Sequence, residues 1–376
     1  MLASAPEWGT RQRSRGLACY TVAMRTSDFD YQLPPELIAQ TPIEPRDASR
    51  LLVVNRATGE LTHSHFSEIG NALRPGDLLV ANRSRVMPAR LLGHKPGSGG
   101  AVEALLLARR LDLGPGCWEA LVRPGRRIRE GQKLRFEATH PDGQVSALTA
   151  VVIGRTPAGG RILRFQPSES GMPVDMLLER LGSVPLPPYI HTPLANPERY
   201  QTVYSRESGS AAAPTAGLHF TPELLAKLSD QDIEMAFVLL HVGLDTFRPV
   251  ETEDLSEHKM HSEAIELDAP TAAHINAARA EGRCIVAVGT TSMRVLESLP
   301  ETTPIAPYQG RTSLFITPGY QFKLVDALIT NFHLPRSTLL MLVSAFAGPD
   351  LIRRAYQEAI RERYRFFSFG DAMLIL

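Results

Sequence analysis

Imidazoles, hydroxyls and glycines gather in four short polar segments of this chain, each beside a predicted strand or helix. The densest is PTAGLHFT, residues 214–221. Pro214 fixes one backbone angle and Gly217 can take conformations closed to other residues, which suits holding His219 in a defined pose. Thr221, Pro222 and Glu223 read as an N-cap, a first helical residue and a first-turn acid. A helix opening there aims unpaired N–H groups at whatever His219 touches, favouring a carboxylate or phosphate. The same residues also fit an ordinary capped turn.

EHKMHSE, residues 257–263, places His258, His261 and Glu263 within six positions. In an extended segment His261 and Glu263 share one side, so the carboxylate could orient an imidazole for acid/base work near neutral pH. A metal-dependent hydrolase using His258, His261 and Glu263 is the rival reading, although the spacing is not HExxH. A polar surface stretch is the third. In VGTTSMR, residues 288–294, an apolar strand ends in Gly289, Thr290, Thr291 and Ser292, with Arg294 one turn on. Strand ends of this kind bind ligands in α/β folds, but this one is neither a GxGxxG nor a Walker A loop. NFHLPRST, residues 331–338, repeats the theme with Asn331, His333 and Arg336. Any one of these segments alone could be a capped loop. Together they are expected to converge on one pocket.

Elements that position them follow from composition and pattern. With 376 residues, 43% hydrophobic and 21% charged, the chain is an ordinary globular one, long enough for two cores. Forty basic residues balance forty acidic ones, so net charge neither supports nor excludes a nucleic-acid partner. No apolar run approaches a membrane span. Three dispersed cysteines argue against a disulfide framework and point to a reducing, cytoplasmic setting. Residues 1–23 lack a sustained apolar core and read as a disordered extension, or as an upstream start with Met24 as the alternative initiator.

Residues 76–165 show seven short β-type runs broken by Gly, Pro and Asp, which predicts a small barrel or sandwich. After about residue 166 apolar strands alternate with helical patterns. The expected fold is therefore α/β: residues 24–75 and 166–376 form a catalytic body, and residues 76–165 form an inserted β-barrel-like domain. Inside the insert, Arg123, Arg126, Arg127 and Arg129 crowd a Pro-Gly turn. They form either a solvated hairpin tip or a phosphate-contacting loop. An RNA-binding protein with a non-catalytic α/β scaffold is the corresponding non-enzymatic reading.

The ordered series SDFDYQLP, PRDASRLLV, VMPARL, WEALVRPG, GSAAAPTAGLHFT, LHVGLDTFRPV, HKMHSE, VGTTSMRVLES, NFHLPRSTLLMLVSAFAG and FFSFGDAMLI closely resembles the S-adenosylmethionine:tRNA ribosyltransferase-isomerases of queuosine biosynthesis, from Met24 to the C-terminus. The resemblance implies ribosyl transfer from S-adenosylmethionine, as co-substrate, to 7-aminomethyl-7-deazaguanine at the wobble position of a tRNA with a GUN anticodon. Adenine and methionine leave and epoxyqueuosine remains, with no metal and no bound cofactor, in a protein expected to be a monomer. The base and acid candidates are His219, His261 and Glu263. Substrate-binding candidates are Thr215, Gly217, Thr221, Gly289, Thr290, Thr291, Ser292, Arg294, Asp326, Asn331 and His333, with Asp371 as an alternative to Asp326. Arg85, Arg90, Arg123, Arg126 and Arg127 are the expected tRNA contacts. Two positions depart from the family pattern: Arg83 stands where an acid is usual, and Asp245 where a glycine is usual.

Overall fold

The computed structural model describes residues 24–376 apart from 141–142, 157–158, 167–170, 244–249 and 251. The expected extension, residues 1–23, and the Asp245 departure lie outside the described residues. Among the described residues, a nine-stranded sheet runs Tyr308–Thr312, Glu263–Leu267, Glu234–Leu240, Leu78–Asn82, Ile285–Val288, Ala327–Asn331, Ala372–Ile375, Arg50–Val54 and Leu61–His65. The third to sixth of these are parallel neighbours. Ala372–Ile375 runs antiparallel to Ala327–Asn331, and Arg50–Val54 parallel to Ala372–Ile375.

This order has one consequence for chemistry. The carboxyl ends of the four parallel strands, at Asn82, Leu240, Val288 and Asn331, share an edge with the starts of Glu263–Leu267, Ala372–Ile375 and Arg50–Val54. The polar segments 257–263, 288–294 and 331–338 emerge there, where ligands of open α/β sheets bind.

Alternation builds the two faces. Leu78 and Val80 fall in the core of one face, Leu79 and Ala81 in that of the other. The helices are α1 (Val174–Leu181), α2 (Pro222–Asp230), α3 (Ala269–Ala280), α4 (Gly289–Ser298), α5 (Thr338–Ala347) and α6 (Pro349–Arg361). Residues of α3, α4, α5 and α6 fill the core on the Leu78 face, and Leu224 and Leu228 of α2 that on the Leu79 face. No helix among the described residues is long and apolar enough to cross a membrane.

A second sheet closes on itself. Arg90–His94, Ala101–Arg109, Cys117–Arg123, Arg161–Phe165, Val145–Arg155 and Lys133–Thr139 pair in that order, and the last returns to the first at Gly93↔Phe136. Leu91, Leu106, Trp118, Leu134, Phe136, Val152 and Leu163 pack inside it. The expected limits of the insert shift at both ends. Leu78–Asn82 pairs in the large sheet, because its unbroken apolar run suits a strand covered on both faces. Beyond Phe165, α1 packs its Leu177 and Leu178 into the barrel core, and Gly182–Ser183 pairs with Arg90–His94.

Glu297 on α4 ties the Leu78 face together. It is 2% exposed and accepts from the N–H groups of Lys323 (2.8 Å), Leu324 (3.0 Å) and Val325 (3.0 Å), and from the Tyr320 hydroxyl (3.2 Å). Removing the acceptor strands buried donors. We predict that Glu297→Leu lowers the unfolding free energy by about 3–5 kcal/mol, and Glu297→Gln by less. Denaturant melts of both variants check this.

Candidate active site

His219 sits at the shared edge, inside a short 3-10 turn, Thr215–His219. It is 4% exposed, and its ring stacks on Phe66 at 4.9 Å and 28°. Ser49 Oγ lies 2.7 Å from Nδ1, and the Asn331 side-chain amide nitrogen 3.2 Å from Nε2. That same amide nitrogen donates to the Phe367 carbonyl at 3.2 Å. A carbonyl can only accept, so the amide faces His219 as a donor and Nε2 must carry the lone pair. Nδ1 therefore bears the hydrogen and donates to Ser49. Burial, with the charges of Arg365 and Arg46 adding to it, pushes the imidazole down to about 3. The ring is neutral at physiological pH.

The turn that presents His219 is fixed by crowding. Gly217 is absent from the residues with positive φ, so the expected backbone freedom is not what this position needs. A Cβ there would stand 2.1 Å from the Tyr204 hydroxyl and 2.8 Å from Thr202 Cγ2, so only glycine lets the turn pack. Thr221 caps α2 as expected, accepting from the Leu224 N–H at 3.0 Å, and its hydroxyl also reaches Asp47 at 3.4 Å. Thr215 is half-buried at the start of the turn. Gly289 opens α4 with a φ of +88°, and a Cβ there would lie 3.5 Å from Ala216. The α4 start thus abuts the His219 turn. Thr290 is buried, the Thr291 hydroxyl is buried without a partner, and Ser292 donates back to the Val288 carbonyl at 2.8 Å.

The opening at His219 is small. Pro42, Ile43, Arg46, Arg199, Ser368 and Gly370 surround about 20 Å³, room for about one water. Asp371 lies beside it, but its two oxygens accept from the N–H groups of Arg50 (2.9 Å) and Arg365 (2.7 Å). A roomier cavity of about 460 Å³ lies elsewhere, between residues 28–32 and α6. Its charged side chains are already engaged: Asp28 caps Arg25, Asp30 pairs with Arg336, Arg353 with Asp350, and Arg361 with Glu358.

His261 and Glu263 do not join His219. Glu263 starts a strand four places along the sheet from Asn331, roughly 19 Å at about 4.8 Å per strand, and its side chain faces the opposite layer. It is buried in an ion pair with Arg294 and accepts from the Gly243 N–H at 2.9 Å. His261 is exposed, and His258 packs edge-on to Phe315. No group of three His, Cys, Asp or Glu side chains positioned for a metal occurs among the described residues. Arg294 keeps one buried guanidinium nitrogen, Nη2, without a partner among the described residues. Two further candidates also stand apart. Asp326 receives the Ile285 N–H at 3.1 Å at the amino ends of the strands, about 16 Å from Asn331 at 3.3 Å per residue. His333 bonds Thr330 at 2.8 Å, and successive strand residues point oppositely, so His333 lies under the other face from His219. Burial holds its imidazole down at about 3.

The family described as queuosine biosynthesis protein matches residues 26–375. The chain belongs to that family. Similar relatives named S-adenosylmethionine:tRNA ribosyltransferase-isomerase come from Symbiobacterium thermophilum, 59% identical, and Moorella thermoacetica, 57% identical. Each match covers 94% of this chain and 100% of the relative. A crystal structure of S-adenosylmethionine tRNA ribosyltransferase from Thermotoga maritima matches with a TM-score of 0.52 and 45% identity, across 93% of this chain and 100% of that one. The α/β class expected from the sequence holds for this member of the queuosine biosynthesis protein family.

Sequence reasoning missed Ser49, Phe66 and Arg46, which complete the His219 surroundings. A polar residue just before the apolar strand in DASRLLV was the available signal for Ser49. Arg83, the base at a usually acidic position of the family, is surrounded by Glu207 (3.1 Å), Glu266 (3.6 Å) and Asp268 (2.8 Å). Of the barrel-side arginines, Arg85 pairs with Glu198 and Arg90 with Glu103, whereas Arg123, Arg126 and Arg127 are exposed and make no ion pair among the described residues.

Both buried imidazoles have folded pKa values of about 3, against 6.5 for the free side chain. Below pH 6.5 the unfolded chain binds protons that the folded chain refuses. Their contribution is full above pH 6.5 and is lost as pH falls towards 3, by about 1.4 kcal/mol per pH unit for each histidine. We predict that the stability of His333→Gln falls less steeply than that of the parent between pH 6 and about 4.5, by that slope. Denaturant melts across this range check it.

Proposed function

We propose that the chain transfers and isomerises the ribosyl moiety of S-adenosylmethionine onto 7-aminomethyl-7-deazaguanine at the wobble position of tRNA. The products are epoxyqueuosine-tRNA, adenine and methionine. One observation carries this reading: a neutral imidazole, locked between Ser49 and Asn331 at the carboxyl edge, in a chain 59% identical over 94% of its length to a protein named S-adenosylmethionine:tRNA ribosyltransferase-isomerase.

The chemistry needs a proton moved twice. Hydrogens on the carbon beside the sulfonium are acidified by the positive sulfur, and departing adenine needs a proton. When Asn331 yields to substrate, the His219 Nε2 lone pair can take the first proton while Nδ1–H on Ser49 keeps the ring aimed. The imidazolium so formed has Arg46 and Arg365 nearby and no carboxylate partner among the described residues, so it gives its proton up readily, to adenine. A site of about 20 Å³ must open to admit the donor. The acceptor is a tRNA with a GUN anticodon, whose splayed loop lets the base leave the stack. Exposed Arg123, Arg126 and Arg127 on the barrel contact its phosphates. The protein acts as a cytoplasmic monomer with no metal and no bound cofactor.

Purified protein is expected to release adenine and methionine from S-adenosylmethionine only when tRNA bearing the aminomethyl base is present. His219→Ala should lower that release by at least about 100-fold while tRNA binding stays within about twofold. No release by the parent protein would overturn the function. Full turnover by His219→Ala would remove that residue from the proton path.

A further inference from the structure

Arg161 begins the barrel strand Arg161–Phe165, yet the residue is buried, with only 4% exposure. Its Nε donates to the Ile128 carbonyl (3.0 Å), Nη1 to those of Gly159 (2.8 Å) and Gly160 (2.9 Å), and Nη2 to that of Gly125 (2.5 Å). No carboxylate pairs with it among the described residues. Desolvation and the nearby Arg155 both disfavour its charge. A buried cation held only by main-chain dipoles is costly, and a neutral side chain would avoid that cost. What the guanidinium offers in return is reach. Four of its five donors span two segments, residues 125–128 and 159–160, as no amide or ammonium could.

The first of those segments is the arginine turn. Gly125–Arg127 forms a 3-10 turn, Ile128 is fully buried behind it, and Lys95 Nζ donates to the Arg127 carbonyl at 2.6 Å. Carbonyls of the turn are thus drawn inward to Arg161 and Lys95, while the side chains of Arg126 and Arg127 stay exposed. Residues 123–133 hold four arginines and Lys133 against the single carboxylate of Glu130.

We infer that Arg161 is the positioning residue of a phosphate-contacting turn: it fixes the backbone so that Arg126 and Arg127 meet the tRNA backbone already ordered. The inference rests on the reading that this turn contacts tRNA phosphates. Pre-ordering the backbone that carries two long side chains removes part of the entropy that binding would otherwise cost.

The test is the salt dependence of binding to a transcript of a tRNA with a GUN anticodon. The double variant Arg126→Ala/Arg127→Ala should flatten the slope of log Kd against log salt by about two units. Arg161→Met should flatten it by more than one unit, although Arg161 itself touches no phosphate, and Arg161→Lys should do so while keeping the charge. Added to the double variant, Arg161→Met should change the slope no further, because it acts through the residues already removed. KM for tRNA should rise in the single variants while kcat at saturating tRNA holds. If Arg161→Met does not fold, Arg161→Lys and Lys95→Met carry the same comparison. Wild-type slopes in the Arg161 variants beside a flattened double variant would overturn the positioning role, as would full additivity. An unchanged slope in the double variant would instead overturn the phosphate-contacting turn itself.

Discussion

The hydrogen-bonded placement of His219 between Ser49 and Asn331 is the constraint on which the rest of the catalytic edge depends. Three distant parts of the chain must meet for it: the residue before Arg50–Val54, the 3-10 turn ahead of α2, and the last residue of Ala327–Asn331. The sheet order makes that meeting possible, since Ala372–Ile375 runs antiparallel to Ala327–Asn331 but parallel to Arg50–Val54, and so brings the start of Arg50–Val54 to the end of Ala327–Asn331. Phe66 supplies the wall, and burial keeps the ring uncharged. A charged imidazole in that place would be repelled by two arginines, with no carboxylate hydrogen-bonded to it among the described residues.

Local pattern revealed what local forces decide. Thr221 as a cap, the apolar strand before Gly289 and the set of short strands in the insert all follow from hydrogen bonding or periodicity within a few residues. What the sequence did not disclose depends on packing across the chain. Gly217 was read for its backbone freedom, but it is required by a tyrosine hydroxyl thirteen residues earlier in sequence. His261 and Glu263 looked like partners of His219 because residue types do not report sheet order, which separates them by four strands and one face. His333 and Asp326 stand apart from His219 for the same reason: one lies under the other layer, the other at the opposite edge.

The fold divides the work in two. Large-sheet loops hold a neutral imidazole at one point of the edge, and α4 joins it to an arginine with an unpartnered nitrogen. The barrel instead offers exposed arginines on a turn held from below by a buried one. At His219 charge is suppressed, and at that turn it accumulates with no carboxylate paired to Arg123, Arg126 or Arg127 among the described residues. That contrast fits a reaction in which protons move at a donor while a polyanion is gripped elsewhere.

Nitrogen NMR of ring-labelled histidine tests the central claim most directly, because it reads both the charge and the tautomer of His219. The account predicts a neutral ring with the hydrogen on Nδ1 and no titration from pH 8 down to about 5. An imidazolium signal titrating near 6.5, the ordinary histidine value, or a hydrogen on Nε2, would contradict it.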